Sequence, residues 1–594
     1  MSEELRGRVE GLSSHRQELV ARLLAARRRP AGDTIPVVPR DAGLLECSPE
    51  QRRLWLAAQT DRQIAAPNVT LGLGLSGPLD LGALAKALTG LTERHEALRT
   101  LFVNAGGEPR QMILGSLDAP LTVVDLTCDP DGEETARRLA VAAGGERFDL
   151  ASGPLLRLTV YRTAPREHRL LLVLNHLVCD GGSLGVLARD LADLYGGRAL
   201  PAPPSVTYAD YAAWAQARAR AHAGERLDHW RERLSDPPPL FGGEPGAAGD
   251  APPRSPDGRT SATTTVQVEG GLMDALRGGS ATPFVTVLTA FSVLLRRVTG
   301  SPGLVVGTVS GTRARRELEH LVGCFINMVP IPLRVEGTEG FRELVARTRD
   351  EVGTALSHEV PFDTLVSGLG GRRRPGVHPI FQVALIQQDD PRPPGGWDGL
   401  RAFEWSHEVD DSAYDLTLTM IPRGTGYELV LTHRIDRVPE VVAGSLGAAF
   451  EALLDALSIS PDVPVADLAV PSLEAFLRRP ASTGPGAPET PAREARAPVP
   501  GAEAPGAVGD EPVDERLAAE VRRIWSEVLR RPDVDGDADL FDLGGDSLAI
   551  THIAARVQES LGVEVPAWMF FEAPTVSGFV RALTALGKIP DSLN

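Results

Sequence analysis

The chain has 594 residues, 42% hydrophobic and 24% charged, with 61 Lys+Arg against 79 Asp+Glu and a formal net charge of −18. That length exceeds one compact core and suits two to four domains at roughly 100–200 residues each. The acidic balance excludes a broad nucleic-acid or anionic-membrane footprint, since both need clustered positive charge. Cys47, Cys128, Cys179 and Cys324 lie far apart without a C-x-x-C pair, which predicts free thiols in a reducing compartment and no metal site. The N-terminus is acidic where a secretory leader is basic, and no long apolar run occurs. A cytoplasmic protein with no membrane segment is expected.

In chain order, residues 1–39 carry one short amphipathic segment, SSHRQELVARLLAARRRP. Ser14 and Gln17 resemble a capping box, Leu19, Val20, Leu23 and Leu24 share a face, and Pro30 ends it, which predicts a helix that docks on its own domain or a partner. From about 45 to 472, helical and strand patterns alternate. GALAKALTGLTERHEAL, GGSLGVLARDLADLYGG and TVLTAFSVLLRRV read as helices, and HRLLLVLNHLV, GLVVGTVS and YELVLTHRI as strands. This predicts a layered α/β architecture. The Pro/Gly-rich break at 235–258 divides it into halves at about 45–234 and 259–472.

Residues 480–512 hold eight prolines and five glycines, with Val499 and Val508 the only large apolar residues. Such a segment cannot offset its ordering entropy by burial. It reads as a disordered tether, on the order of 30 Å root-mean-square as a coil and roughly 100 Å if fully extended. Beyond it, residues 513–587 have helical periodicity throughout and predict a small four-helix bundle.

The run DADLFDLGGDSLAITHIAARV in that bundle resembles the attachment motif of peptidyl and acyl carrier proteins, [LF]-G-G-[DH]-S-[LI]. The resemblance implies that Ser547 receives a covalent phosphopantetheine arm. Gly544 and Gly545 permit a tight turn, and the start of a helix suits a phosphodiester. A calcium loop counted from Asp533 fails, with Ala538 and Gly544 at its sixth and twelfth positions.

A second series runs through the α/β region. NHLVCDGGS (175–183) is similar to the HHxxxDG motif of nonribosomal peptide synthetase condensation domains. SPEQRRLW (48–55) is similar to S-x-A-Q-x-R-L-W, and RHEALRTLF (94–102) to the element that follows it. TYADYAAW (207–214), VGCFINMVPIPLR (322–334), SHEVPFDTLV (357–366) and HPIFQVALIQQ (378–388) continue the series in family order. The resemblance implies two chloramphenicol-acetyltransferase-like lobes in a V-shaped pseudo-dimer. His176 falls at the reaction centre, Asn175 replaces the first motif histidine, and Asp180 is structural and paired with Arg313. A neutral imidazole can accept or steer a proton near pH 7, and the N–H of Gly181 or Gly182 can face an oxyanion.

Within that family, His176 argues against heterocyclisation, and a domain ahead of a carrier argues against epimerisation. No adenylation domain interrupts the chain between the condensation-like region and the carrier. The expected partners are therefore an upstream donor carrier, a separate adenylating enzyme acting in trans, a phosphopantetheinyl transferase, and a downstream enzyme or thioesterase. Two other readings stand beside this one: a non-catalytic recruiting scaffold, because of Asn175, and a serine hydrolase. For the latter, Gly181-Gly182-Ser183-Leu184-Gly185 spells G-x-S-x-G between a predicted strand and helix. On the condensation reading the Ser183 hydroxyl only caps that helix.

Overall fold

The computed structural model describes residues 34–60, 68–234, 240, 260–277, 281–311, 313, 315–369, 378, 380–388, 394–405, 414–438, 440–470 and 515–529. Between 531 and 585 it describes 531, 534–538, 540, 543, 553–554, 556–557, 560–561, 563, 565, 569–573 and 575–585. The predicted N-terminal docking helix and the tether at 480–512 lie outside these residues.

Strands β1 (Leu45–Glu46), β3 (Thr100–Ala105) and β4 (Glu108–Ile113) form a small sheet ordered β1-β4-β3. β2 (Val69–Ser76), β5 (Leu121–Asp125), β6 (Leu156–Ala164) and β7 (Glu167–Leu174) build a second sheet. It is ordered β12-β2-β7-β6-β5, its outermost strand being the distant β12 (Arg401–Glu404). β8 (Ser261–Val268), β9 (Gly303–Gly311), β10 (Ile326–Arg334), β11 (Val383–Gln387), β13 (Leu416–Arg423) and β14 (Gly426–Arg434) form the third, ordered β10-β9-β11-β13-β14-β8.

β7 explains its own apolar run. It lies between β2 and β6, antiparallel to both. Leu170, Leu172 and Leu174 point into the main core of the first lobe, while Leu171 and Val173 enter a smaller core with Tyr161 and Trp405 on the opposite face. A strand buried on both faces has no polar side to show.

Two large cores coexist, one under the first half and one under the second. Among the connections that cross between them are three segments of chain. The Tyr208–Arg233 helix, opened by a Thr207/Asp210 capping box, places Tyr208 and Tyr211 in the first core and Trp230 in the second. The stretch from Leu318 to Phe325 belongs to the second half in sequence but packs its Leu318, Leu321, Val322, Cys324 and Phe325 into the first core. β12 leaves the second half to pair antiparallel with β2, Arg401 opposite Ser76 and Glu404 opposite Leu73. Phe403 then covers Gly74, where a Cβ would stand 2.1 Å from the ring. Trp405, two residues further on, donates its Nε1–H to Glu133 at 2.9 Å.

The C-terminal helices Glu515–Leu529, Met569–Glu572 and Val576–Ala585 close on a separate core. Trp525, Phe570 and Phe579 fill it, with the two phenylalanine rings stacked 4.5 Å apart. No helix among the described residues is long and apolar enough to cross a membrane. All four cysteines are free thiols, and Cys47, Cys179 and Cys324 are buried.

Candidate active site

The chain between β7 and the Gly181–Tyr195 helix makes a tight turn that begins at Asn175. The Asn175 side-chain oxygen accepts the Leu177 N–H at 3.0 Å, and its backbone oxygen accepts that of Val178 at 3.1 Å. A short side chain that bonds two residues ahead is well suited to this bend. Gln51, from the first element of the motif series, donates to the Leu177 carbonyl at 3.1 Å and pins the turn from the opposite wall.

Asp180 caps the helix that follows. Its Oδ1 accepts the Ser183 N–H at 2.8 Å and its Oδ2 the Phe325 N–H at 2.9 Å. Arg313 Nη2 donates to Oδ1 at 2.8 Å, while Nη1 donates to the Leu318 and Leu321 carbonyls. The guanidinium carbon stands 4.1 Å over the Phe325 ring. Asp180 is 2% exposed, so this is a buried ion pair with its remaining oxygen satisfied, the arrangement under which such a pair is tolerated. Asp180 and Arg313 are thus brought together across the lobes, and neither is spare for chemistry.

Ser183 is fully buried. Its Oγ lies 2.7 Å from Asp180 Oδ1, 2.8 Å from the Gly323 carbonyl, 3.1 Å from the Gly323 N–H and 2.6 Å from Arg313 Nη2. No histidine is among these partners, and an oxygen so enclosed is not placed for attack on a substrate. The hydroxyl does more than cap a helix: it stitches the motif turn to the Leu318–Phe325 stretch. Gly323 has to be glycine there, because a Cβ would stand 1.8 Å from the Tyr208 ring.

His176 is half-buried, just ahead of the helix. Its Nδ1 is 3.9 Å from the thiol of Cys324. Burial lowers its pKa below the usual 6.5, and the Arg53 charge adds to this, against the opposing pull of its own and the Cys179 backbone and of Asp180. The imidazole is therefore neutral at physiological pH. Cys324 is no rival nucleophile, because burial pushes its thiol up and keeps it protonated. Gly181 is exposed at the head of the helix, and a Cβ there would meet nothing within 4 Å, so the helix N-terminus is open at this point. A cavity of about 420 Å³ lined by Arg52, Glu108, Arg220 and Asp363 opens at the lobe seam, but His176 is not on its wall.

Ser547 lies outside the described residues, as do Gly544, Gly545 and Asp546. On one side Leu540 is buried and Leu543 packs on the small core; on the other, Ile553 and Val557 are buried in it. Sequence reading missed Ser183 as a lobe-bridging group, Cys324 as the neighbour of His176, and the buried acid Glu50 beside Tyr211. For Glu50 the available signal was an acid at an alanine position of its motif.

Residues 42–474, well over half of the chain, match the condensation domain family, and residues 519–583 match the phosphopantetheine attachment site family, whose domains carry that group covalently on a serine. Only 475–518 separates them, too short for another domain of ordinary size. The chain is 34% identical over 481 residues to phosphinothricin tripeptide synthetase PhsC of Streptomyces viridochromogenes, covering 79% of this chain and 44% of that protein. It is 31% identical over 446 residues to the chondramide synthase of Chondromyces crocatus, covering 73% of this chain and 11% of that one. It therefore spans less than half the length of these relatives. The crystal structure of the X-domain from teicoplanin biosynthesis shares the fold with a TM-score of 0.63 and 26% identity, over 74% of this chain and all of that one. The chain belongs to the condensation-domain family of nonribosomal peptide synthetases, with a phosphopantetheine attachment domain behind the condensation fold.

Proposed function

We propose that residues 40–472 form an amide (or ester) bond between a thioester donor on an upstream carrier and an amine or hydroxyl acceptor, and that residues 513–587, tethered by 480–512, hold an intermediate on Ser547. Phosphopantetheine supplies the thiol on which acyl units are held as thioesters. At His176 the acceptor nitrogen or oxygen attacks the donor carbonyl. The new bond to carbon forms, the carbon–sulfur bond breaks, and the proton lost by the acceptor passes by way of the imidazole to the departing thiolate. The N–H of Gly181, at the open head of its helix, faces the oxyanion. Asp180 and Arg313 hold the turn, and Asn175 supplies the hydrogen bonds that shape it.

The observation that carries this reading is a half-buried imidazole kept neutral by burial, on a turn whose acid is engaged by Arg313 and the Ser183 and Phe325 N–H groups. The short stretch between the two family matches favours loading in trans by a separate adenylating enzyme. Exposed Asp535 and Asp537 favour docking of partners with basic faces, such as the phosphopantetheinyl transferase. The downstream partner is an enzyme that takes the product from the arm.

The test uses aminoacyl-pantetheine arms transferred from coenzyme A to Ser547 and to a donor carrier, with product followed by intact mass. Ser547→Ala should accept no arm. His176→Ala should load normally and form product about 10²–10⁴ times more slowly. Full product formation by His176→Ala would point to a recruiting scaffold.

A further inference from the structure

At the head of the Pro49–Thr60 helix the chain carries Glu50 where S-x-A-Q-x-R-L-W has alanine. Glu50 is 6% exposed. Its Oε1 accepts the Tyr211 hydroxyl at 3.3 Å, and its Oε2 is buried with no hydrogen-bond partner among the described residues. An ionised oxygen in that position is costly, whereas a neutral acid is not. From Glu50, buried contacts lead to the reaction centre. Tyr211 packs on Tyr208, whose hydroxyl lies 2.9 Å from Ser48 Oγ and donates to the Cys324 carbonyl. The Cys324 thiol is the group beside His176 Nδ1. Arg53, one helical turn beyond Glu50, acts on both ends, favouring the Glu50 anion and disfavouring the His176 cation. Its Nε is buried without a hydrogen-bond partner among the described residues.

We propose that Glu50 is a positioning residue for the reaction at His176: a buried acid that, on losing its proton, takes up the charge of Arg53 and so makes the imidazole a stronger base. This rests on the reading of His176 given above. Burial pushes the Glu50 carboxyl up to about 7, against the opposing pull of its own backbone, the nearby Ser48 and Tyr211 hydroxyls and the charge of Arg53. It therefore changes charge in the neutral range, where the groups around it do not. From its own helix the charge of Arg53 acts on it; the Tyr208–Arg233 helix contributes the phenols Tyr208 and Tyr211, and the stretch before β10 contributes Cys324, a protonated thiol. The motif turn beyond contributes His176, already neutral, and Asp180, balanced by Arg313. With Glu50 neutral, the field of Arg53 falls unopposed on the imidazole. With Glu50 ionised its charge opposes that of Arg53, and the basicity of His176 rises without its becoming protonated.

The test is a pH titration of the full chain carrying carbon-13-labelled histidine, with the His176 resonance assigned by its loss in His176→Ala. In the wild type this resonance should show an inflection near pH 7, the value at which Glu50 ionises. Glu50→Gln should lose that inflection, and Glu50→Asp should keep a displaced one. Glu50→Ala restores the residue of the motif and serves as the folded control. In the loaded-carrier assay Glu50→Gln should match the wild type below the inflection and fall about three- to tenfold behind above it. An inflection that persists in Glu50→Gln overturns the proposal, and so does a rate deficit uniform in pH. Full activity of His176→Ala would sink the His176 reading itself and is seen independently of the titration.

Discussion

Arg313 donates from one nitrogen, Nη2, to Asp180 Oδ1 at 2.8 Å and to Ser183 Oγ at 2.6 Å, so a single guanidinium arm from the second half of the chain grips both the cap and the third residue of the helix that follows the His176 turn. That grip fixes the turn on which His176 stands. It also separates two kinds of damage, loss of chemistry and loss of the seam between lobes.

Asp180→Ala should do the second kind of damage. It leaves the half-buried Arg313 beside an apolar methyl and leaves the Phe325 and Ser183 N–H groups without their acceptor. Breaking one side of a buried pair costs about 3–5 kcal/mol. Chemical unfolding should show that loss, and Asp180→Ala combined with Arg313→Ala should lose less than the sum of the two single changes. Strict additivity would mean that the pair is not a unit.

Ser183→Ala should be destabilising and still catalytic. The hydroxyl meets the Gly323 N–H, the Gly323 carbonyl and Arg313, so its removal strands buried polar groups on both sides of the seam at about 1–3 kcal/mol. A fluorophosphonate should not label Ser183 in the folded chain. A labelled serine there, with product lost in Ser183→Ala, would revive the hydrolase reading.

What the sequence made legible follows from range. The helix at Gly181–Tyr195 shows in its periodicity, and its Leu187 and Leu191 are fully buried as that pattern requires. β7 shows as an unbroken apolar run, although the reason, a second small core on its far face, does not. The Asp180–Arg313 pair was legible through motif order, which encodes a contact that spacing alone cannot. β12 was not legible: four residues, Arg401–Glu404, carry no pattern of their own and are strand only because β2 offers a free edge far away in sequence. Ser183 was misjudged for a related reason. Its helix-capping role is local and visible, whereas its bonds to Gly323 and Arg313 exist only once the two lobes meet.

That distant edge gives its own prediction. Phe403 lies where a side chain at position 74 would go, its Cε2 2.1 Å from the Cβ that Gly74 lacks. Gly74→Val should displace the ring and cost about 1–3 kcal/mol, as overpacking does. Amide hydrogen exchange should rise in β12 and at the indole of Trp405, while the second core around Phe291 and Phe450 stays protected. Unchanged exchange in β12 would show that the strand is not held through this contact.

Glu50 should leave a mark on stability as well as on catalysis, and with a definite sign. In the unfolded chain its carboxyl loses its proton near the ordinary 4.5; in the folded chain burial delays this to about 7. Between those values the native state holds a proton that the unfolded state has released, so stability falls as pH rises through the interval and then levels off. The full penalty of about 2.5 pH units corresponds to about 3 kcal/mol. Glu50→Gln removes the titration but keeps an amide of similar shape, so any packing cost it brings is the same at every pH. Urea unfolding of the two proteins should therefore show a difference that is constant below pH 4.5, shifts in favour of Gln by up to about 3 kcal/mol towards pH 7, and is constant again above. A difference that does not change across this interval would mean that Glu50 ionises normally, its buried oxygen being satisfied by solvent, and that it exerts no hold on the charge at His176.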